Sequence, residues 1–285
     1  MFVLKKDAIK RLFLWPRNKP KAQLTKLVLL LLLFSADFGQ ALSDSATHCP
    51  TAPYDETAQI RYIHDGDTLH LRDGRKLRLI GINTPELARK NQPGEAYSKE
   101  AKKALIDLFN NDKSIALIFG KDKNDRYGRY LTHAFTASGK NVQSSLLNDG
   151  YAYALQIPPN IGFAGCYLAQ ERKARCNKRG LWKNKTVRKA SQLKNHDSGF
   201  HLISGKIISI ENNNKGIWLN LDDTLTVGIR EADRELFNEA ELLQLVNQTV
   251  IVRGWLNHSR RENPFYMRIR YPLALQSEKA FACKT

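Results

Sequence analysis

Between Asp65 and Glu86 the chain reads DGDTLHLRDGRKLRLIGINTPE, a stretch dense in groups that can do chemistry on an anion. Asp67, Asn83, Thr84 and Glu86 carry oxygen donors of the kind that suit a hard cation such as calcium. Arg78 stands among them, and its planar guanidinium matches the oxygens of a phosphate. A second cationic stretch, KDKNDRYGR at 121–129, adds Arg129 with Arg126 and Tyr127 beside it. Hydrolysis of a phosphodiester needs a positioned water, neutralisation of developing charge and a grip on the phosphate. Glu86 suits the first, Arg78 with a cation the second, and Arg129 completes the third. Taken singly, each residue has a plainer reading: Asp67 as a turn residue, Glu86 as a loop cap, Arg126-Tyr127 as surface packing. Their combination is what favours the site.

These groups need a scaffold that brings residues 65–86 against 121–129. Asp65-Gly66-Asp67 turns one corner and Asp73-Gly74 signals a hairpin. Strands are predicted at 57–64, within 65–86, at 114–119 and at 130–136, where apolar residues such as Leu69, Leu71, Leu77 and Leu79 recur at alternating positions. Helices are predicted at 99–109 with Ser98 as its cap, at 141–148 closed by Gly150, and at 166–178 with Gly180 beyond it. Residues 184–197 are basic and polar and read as a linker. A second pattern follows, with strands at 202–210, 217–221 and 225–230, a helix at 232–245, and strands at 249–256 and 265–275. Both modules read β-β-β-α-β-β, which fits a five-stranded Greek-key OB barrel. The expected fold is therefore mixed β/α (α+β): one OB barrel with packed helices, then a second OB-like barrel. The expected domains are 57–184 and 200–277, with an arm at 42–56, a linker at 185–199 and a tail at 278–285.

The 285 residues carry a formal net charge of +17, of which 1–41 contribute +6, leaving an excess of 11 that favours a polyanionic partner. Residues 1–41 read as a signal peptide: eight basic residues, the apolar run Leu27–Phe34, then Gly39-Gln40-Ala41 as a small-x-small cleavage site. The run is far below the ~20 residues that span a bilayer, so export to the periplasm or beyond, without stable membrane association, is the expectation. Export permits disulfides, and Cys49, Cys166, Cys176 and Cys283 make an even set. Cys166 and Cys176 on one helix stand ~15 Å apart, too far to bridge. Cys49 with Cys166 and Cys176 with Cys283 is the preferred pairing of the two that remain.

DGDT at 65–68, RLIGINTPE at 78–86, DRYGR at 125–129, Asn148-Asp149-Gly150 and Gly180-Leu181-Trp182 together resemble the staphylococcal-nuclease-like (thermonuclease) family over roughly Gln59–Trp182. The resemblance implies an OB-fold nuclease that uses calcium to cleave DNA and RNA on the 5′ side of the phosphodiester, with single strands or frayed duplex preferred. It implies Asp67, Asn83 and the carbonyl of Thr84 as metal ligands, with Asp65 behind them. It implies Glu86 as the residue that activates water, Arg78 and Arg129 as the phosphate-binding pair, and Arg126 and Tyr127 as contacts to a neighbouring nucleotide. Asn83 departs from the family, where an aspartate is expected, and weaker calcium binding follows from the lost charge. Gln156 and Pro158 stand where the family places tyrosines against a base. The second module has no such set; it is either an added nucleic-acid grip, with Arg253, Trp255, Arg260, Arg261, Tyr266, Arg268 and Arg270 as a basic-aromatic surface, or a structural or protein-contact domain, and the alternation that puts Arg268 and Arg270 on one face also fits a solvated strand face. The rival reading of the whole chain is a non-catalytic nucleic-acid-binding OB protein.

Overall fold

The computed structural model describes Cys49 and residues 53–90, 92–184, 186–260 and 262–283. The expected leader, the start of the arm, Arg261 and the end of the tail lie outside the described residues. The first barrel is built from β1 (Glu56–Ile63), β2 (Thr68–Leu71), β3 (Lys76–Leu79), β5 (Ser114–Asn124) and β6 (Tyr130–Thr136). Its closed order is β1-β2-β3-β6-β5. Every contact is antiparallel except β3 with β6, which pairs Arg78 with Leu131. Leu69, Leu71, Leu77, Leu79, Ile115 and Leu117 fill the interior and are almost fully buried. The short β4 (Ile82–Asn83) leaves the barrel and pairs with β7 (Tyr153–Ala154). Three helices pack with it: α1 (Ser98–Phe109), α2 (Val142–Asn148) and α3 (Ala164–Cys176). Asn141 caps α2 by accepting from the Ser144 amide at 2.8 Å. Ser98 does not cap α1. The helix begins at Ser98 itself, after Tyr97 in a left-handed conformation with no side-chain cap bond. The charged loop expected from residue 121 begins later, because β5 runs on to Asn124.

The second barrel comprises β9 (Gly199–Asn213), β10 (Gly216–Leu221), β11 (Leu225–Arg230), β12 (Thr249–His258) and β13 (Phe265–Arg268). A pairing of β12 with β9 closes the ring. Its connectivity repeats that of the first barrel, down to the single parallel contact, here β11 with β13. The strand expected at 265–275 stops at Arg268, and two larger expectations need correction. The stretch expected as a linker is folded: β8 (Val187–Lys189) pairs in parallel with β9, and Ala190 is buried in the second core. The helix expected at 232–245 is a 3-10 segment, Glu231–Leu236, followed by the short α4 (Glu239–Leu243). Phe237 breaks the run in extended backbone, packing into the core instead of continuing a helix. After β13 the chain passes through a 3-10 turn at Pro272–Ala274 into β14 (Leu275–Ser277) and α5 (Glu278–Phe281).

The barrels are joined by more than sequence. Arg253, 2% exposed, forks onto Glu171 of α3, which is fully buried, with nitrogen–oxygen distances of 2.7 and 2.9 Å. The same guanidinium donates to the carbonyl of Ala154 at 2.9 Å, while the Ala154 amide donates to Glu171 at 2.7 Å. Of the two readings of the second module, Arg253 does not fit the nucleic-acid surface and fits the structural one: it is the buried bolt between the domains. Disulfides join Cys49 to Cys166 and Cys176 to Cys283, each with Cα atoms 5.4 Å apart. The second ties α3 to the C-terminal segment. Leu181, Trp182, Leu202 and Ile251 add an apolar seam.

Candidate active site

The DGD corner sets the first residue. Asp65 accepts from the Asp67 amide at 3.0 Å, folding the turn back on itself. Gly66 is required there by close packing, since a Cβ would come within 2.8 Å of the Thr84 side chain. That contact lays β2 against the segment after β4, and Asp67 uses it. Its Oδ2 accepts from the Thr84 amide and from Thr84 Oγ1, both at 3.1 Å, and meets Arg78 at 2.9 Å. Its Oδ1 accepts from Thr68 Oγ1 at 3.1 Å. Burial pushes the Asp67 carboxyl above its ordinary range; the Arg78 guanidinium opposes this, Asp65 adds to it, and the bonds from Thr84 resist it.

Arg78 is held to one pose by its strand neighbours. It donates to the carbonyls of Leu79 at 2.7 Å and Ile82 at 3.1 Å, and reaches Asn83 Oδ1 at 3.4 Å. The guanidinium therefore lies where the oxygens of Asp67 and Asn83 converge. Arg129 is set by the DRYGR turn, in which Gly128 takes a left-handed φ of 74°. Asp125 accepts from the Arg129 amide at 3.0 Å and from its guanidinium at 2.7 and 2.8 Å. Burial raises the Asp125 carboxyl, but the bonds from Arg129 and the Tyr127 amide outweigh it and hold it below the usual range. Arg129 then reaches Thr68 Oγ1 at 3.4 Å. One hydroxyl thus links the two arginines through Asp67, across the β2-β3-β6 wall.

Arg126 and Tyr127 sit at the rim. The Arg126 guanidinium lies 4.8 Å from the Tyr127 ring centre and donates to its hydroxyl at 2.6 Å; Arg129 approaches the same ring at 5.6 Å. Tyr127 is 67% exposed, a free aromatic face with cations beside it. Glu86 is placed differently from Asp67 and the arginines of the wall. It is exposed, and its carboxylate pairs with Arg89 at 2.7 Å. Its loop is fixed by reciprocal bonds with Glu95 at 3.0 and 2.9 Å. Gln156 is buried, and neither polar atom of its amide has a hydrogen-bond partner among the described residues.

The structure therefore gathers Asp65, Asp67, Arg78, Asn83, Thr84 and Arg129, keeps Arg126 and Tyr127 at the edge, and leaves Glu86 outside the hydrogen-bonded cluster. Thr68 and Asp125 are additions. Thr68 follows Asp67 directly, and Asp125 lies four residues before Arg129 in a turn; adjacency to the charged residues was the available signal. Asp67, Asn83 and Thr84 make an all-oxygen donor set of a type that fits calcium, and the Arg78 guanidinium already stands as a positive charge between Asp67 and Asn83. Asp67 is the single carboxylate of that set, and no group of three or more His, Cys, Asp or Glu suited to a metal occurs among the described residues.

Comparison with known proteins places the wall in context. The model of the family described as staphylococcal nuclease homologue matches residues 76–184. A thermonuclease of Staphylococcus hyicus is 31% identical over 134 residues, covering 46% of this chain and 78% of that protein. Endonuclease YncB of Bacillus subtilis is 32% identical over 123 residues, covering 41% of this chain and 57% of that protein. A thermonuclease of Staphylococcus intermedius is 27% identical over 130 residues, covering 76% of its length. The family match ends at residue 184, before the second barrel begins.

Proposed function

The chain belongs to the family of staphylococcal nuclease homologues, and from that premise we propose that it hydrolyses phosphodiester bonds in DNA and RNA, with calcium, after export from the cell. The observation that carries this reading is the linked wall: Arg78 on β3 and Arg129 just before β6, joined through Thr68 at the start of β2 and Asp67 before it. A binding surface needs cations, but it has no use for a buried carboxylate held between them. Asp67 and Asn83, with the carbonyl of Thr84, would hold the cation, which supplies positive charge beside the scissile phosphate. Arg78 and Arg129 grip the phosphate oxygens and stabilise the five-coordinate transition state, since guanidinium forks match that geometry. Glu86 takes a proton from the attacking water as the new P–O bond forms and the P–O5′ bond breaks; the departing O5′ takes a proton from solvent, giving a 5′-hydroxyl and a 3′-phosphate. Its pairing with Arg89 is solvent-exposed and therefore weak, so the carboxylate is free to turn inward. Export rests on the leader-like composition of 1–41 and on the two disulfides, which need an oxidising compartment.

The deciding experiment is digestion of single-stranded DNA and RNA with calcium or with EDTA, for wild type and Glu86→Gln. Wild type is expected to cleave only with calcium, and Glu86→Gln to lose about 10²–10⁴-fold in rate. Absence of calcium-stimulated cleavage leaves the binding-protein reading in its place. Equal rates for the two proteins remove Glu86 from its role.

A further inference from the structure

The wall does not face open solvent alone. A cavity of about 330 Å³ lies over it, and its lining comes from both barrels: Arg78, Arg129, Ile157 and Pro158 from the first, Trp255 and Arg270 from the second. Its volume is at the small end of ligand sites, which run about 300–1,000 Å³. Trp255 is the one aromatic among the described lining residues, and it is 44% exposed.

Its position is built. Trp255 faces outward on β12, directly opposite Phe200 of β9. The Phe200 ring meets it edge-on at 5.4 Å. Behind Phe200 lie Tyr153 at 5.4 Å and then Trp182, edge-on to Tyr153 at 5.6 Å. A ladder of four aromatics thus crosses from the first barrel and ends in the one ring open to the cavity. Two residues before Trp255 is Arg253, the bolt to Glu171, so the strand bearing the ring is fixed to the first barrel. Arg270 is held by Asp233 at 3.2 Å, but Asp233 also takes Arg268, leaving that trio with a positive charge in excess. Within the cavity three arginines outnumber Asp122 and Asp125, and Asp125 is engaged by Arg129.

We infer that the second barrel supplies a base-binding subsite for the reaction: Trp255 stacks a base of single-stranded nucleic acid while Arg270 meets a phosphate next to the one held by Arg78 and Arg129. An aromatic platform beside a cationic groove is the physical recipe for sequence-tolerant single-strand binding. The base must be unstacked to reach Trp255, which gives a single strand its advantage over a duplex. This rests on the proposed nuclease reading for its purpose, but its test does not depend on cleavage.

The test measures binding of fluorescein-labelled decathymidylate and of a ten-unit abasic strand, which has the same phosphates and no bases, by anisotropy in EDTA at low salt. Trp255→Ala is expected to weaken decathymidylate about tenfold, the size of one lost stacking contact, and to leave the abasic strand unchanged. Trp255→Phe should restore binding to near wild type. Arg270→Gln should weaken both strands alike and lower the salt dependence by about one phosphate contact. The inference is overturned if Trp255→Ala binds decathymidylate as wild type does, or if it loses the same factor on the abasic strand. Trp255-dependent binding of decathymidylate without any cleavage by wild type would sink the nuclease reading alone; cleavage by wild type with decathymidylate binding indifferent to Trp255 would sink the subsite alone.

Discussion

The two barrels share strand order, a closing antiparallel contact and one parallel contact, yet their outward faces have opposite character. On the first, the β2-β3-β6 wall carries Asp67, Thr68, Arg78 and Arg129 in one hydrogen-bonded line. On the second, the correspondingly paired β10, β11 and β13 region carries the uncharged trio Asn220, Thr226 and Asn263, joined by bonds of 3.0 to 3.2 Å, while the nearby Arg268 is taken up by Asp233. The interiors are alike, Leu69, Leu77 and Leu79 in one, Leu219, Val227 and Met267 in the other. Burying alternate apolar residues suffices for the barrel, and the chemistry is written on the positions between them. What the second barrel holds instead is a set of groups turned toward the first: Arg253, Phe200 and Trp255. The comparison predicts a division of labour in which one barrel reacts and the other clamps and extends it.

The largest effect tests the clamp. Arg253→Ala leaves Glu171 buried with Arg175 at 3.3 Å as its one remaining cation among the described residues and the Ala154 amide at 2.7 Å. Breaking one side of a buried pair costs roughly 3–5 kcal/mol, so urea unfolding should show a loss of that size. A loss below about 1 kcal/mol would mean that the barrels stand independently and that Arg253 is ornamental to the fold. The next effect tests the asymmetry of the walls. Arg78→Ala should lower kcat/KM by about 10²–10³-fold, the usual cost of one lost charge-stabilising group. Thr226→Val, on the face of the second barrel that pairs in the same way, should leave kcat/KM within about twofold. Comparable losses from both would erase the distinction between the faces.

That distinction was legible in the chain for a physical reason. Asp67, Arg78, Asn83, Thr84 and Glu86 fall within one meander, where short turns keep sequence neighbours together in space, and the alternation of Leu69, Leu71, Leu77 and Leu79 marks which side is core. The strands read at 130–136 and 225–230 match the observed ones to the residue. The clamp was not legible. Arg253 and Glu171 are 82 residues apart, and nothing local distinguishes an arginine that will be buried from one that will be wet. Val187–Lys189 looked like linker because its few apolar residues gain a partner only when β9 lies beside them. Residues 232–245 carried a helical pattern, but Phe237 is worth more inside the second core than in a continued turn.

A third effect separates the barrels by acid. His133 of β6 is buried against Phe163, with Nδ1 at 2.8 Å from the Tyr167 hydroxyl, and burial pulls it from 6.5 to about 4. No histidine described in the second barrel is buried. Above pH 6.5 the imidazole is neutral in folded and unfolded chains alike. Between 6.5 and 4 the unfolded chain takes up a proton that the fold excludes, so stability falls with pH, by on the order of 3 kcal/mol in all, and this contribution levels off below about 4. His133→Gln should flatten that part of the curve in denaturant titrations run from pH 7 to 4. An unchanged slope would assign the acid sensitivity to carboxylates instead.

The smallest effect asks how complete the first wall is. Asp67 is its only carboxylate ligand candidate, and Asn83 contributes an amide oxygen that now faces Arg78 at 3.4 Å. Because ligand charge tunes calcium affinity, Asn83→Asp should tighten calcium binding about tenfold, or ~1.4 kcal/mol, by calorimetry. The gain is bounded by Arg78, since a second carboxylate would also strengthen the hold on that guanidinium, and a cation has to compete with it for the same oxygens. The pair Asn83→Asp with Arg78→Lys tells these apart. If the added charge mainly feeds Arg78, a lysine without the fork releases the calcium gain that the single substitution conceals. If neither variant changes calcium affinity, Asn83 is no ligand, and its place on β4 serves only the strand pairing with Tyr153.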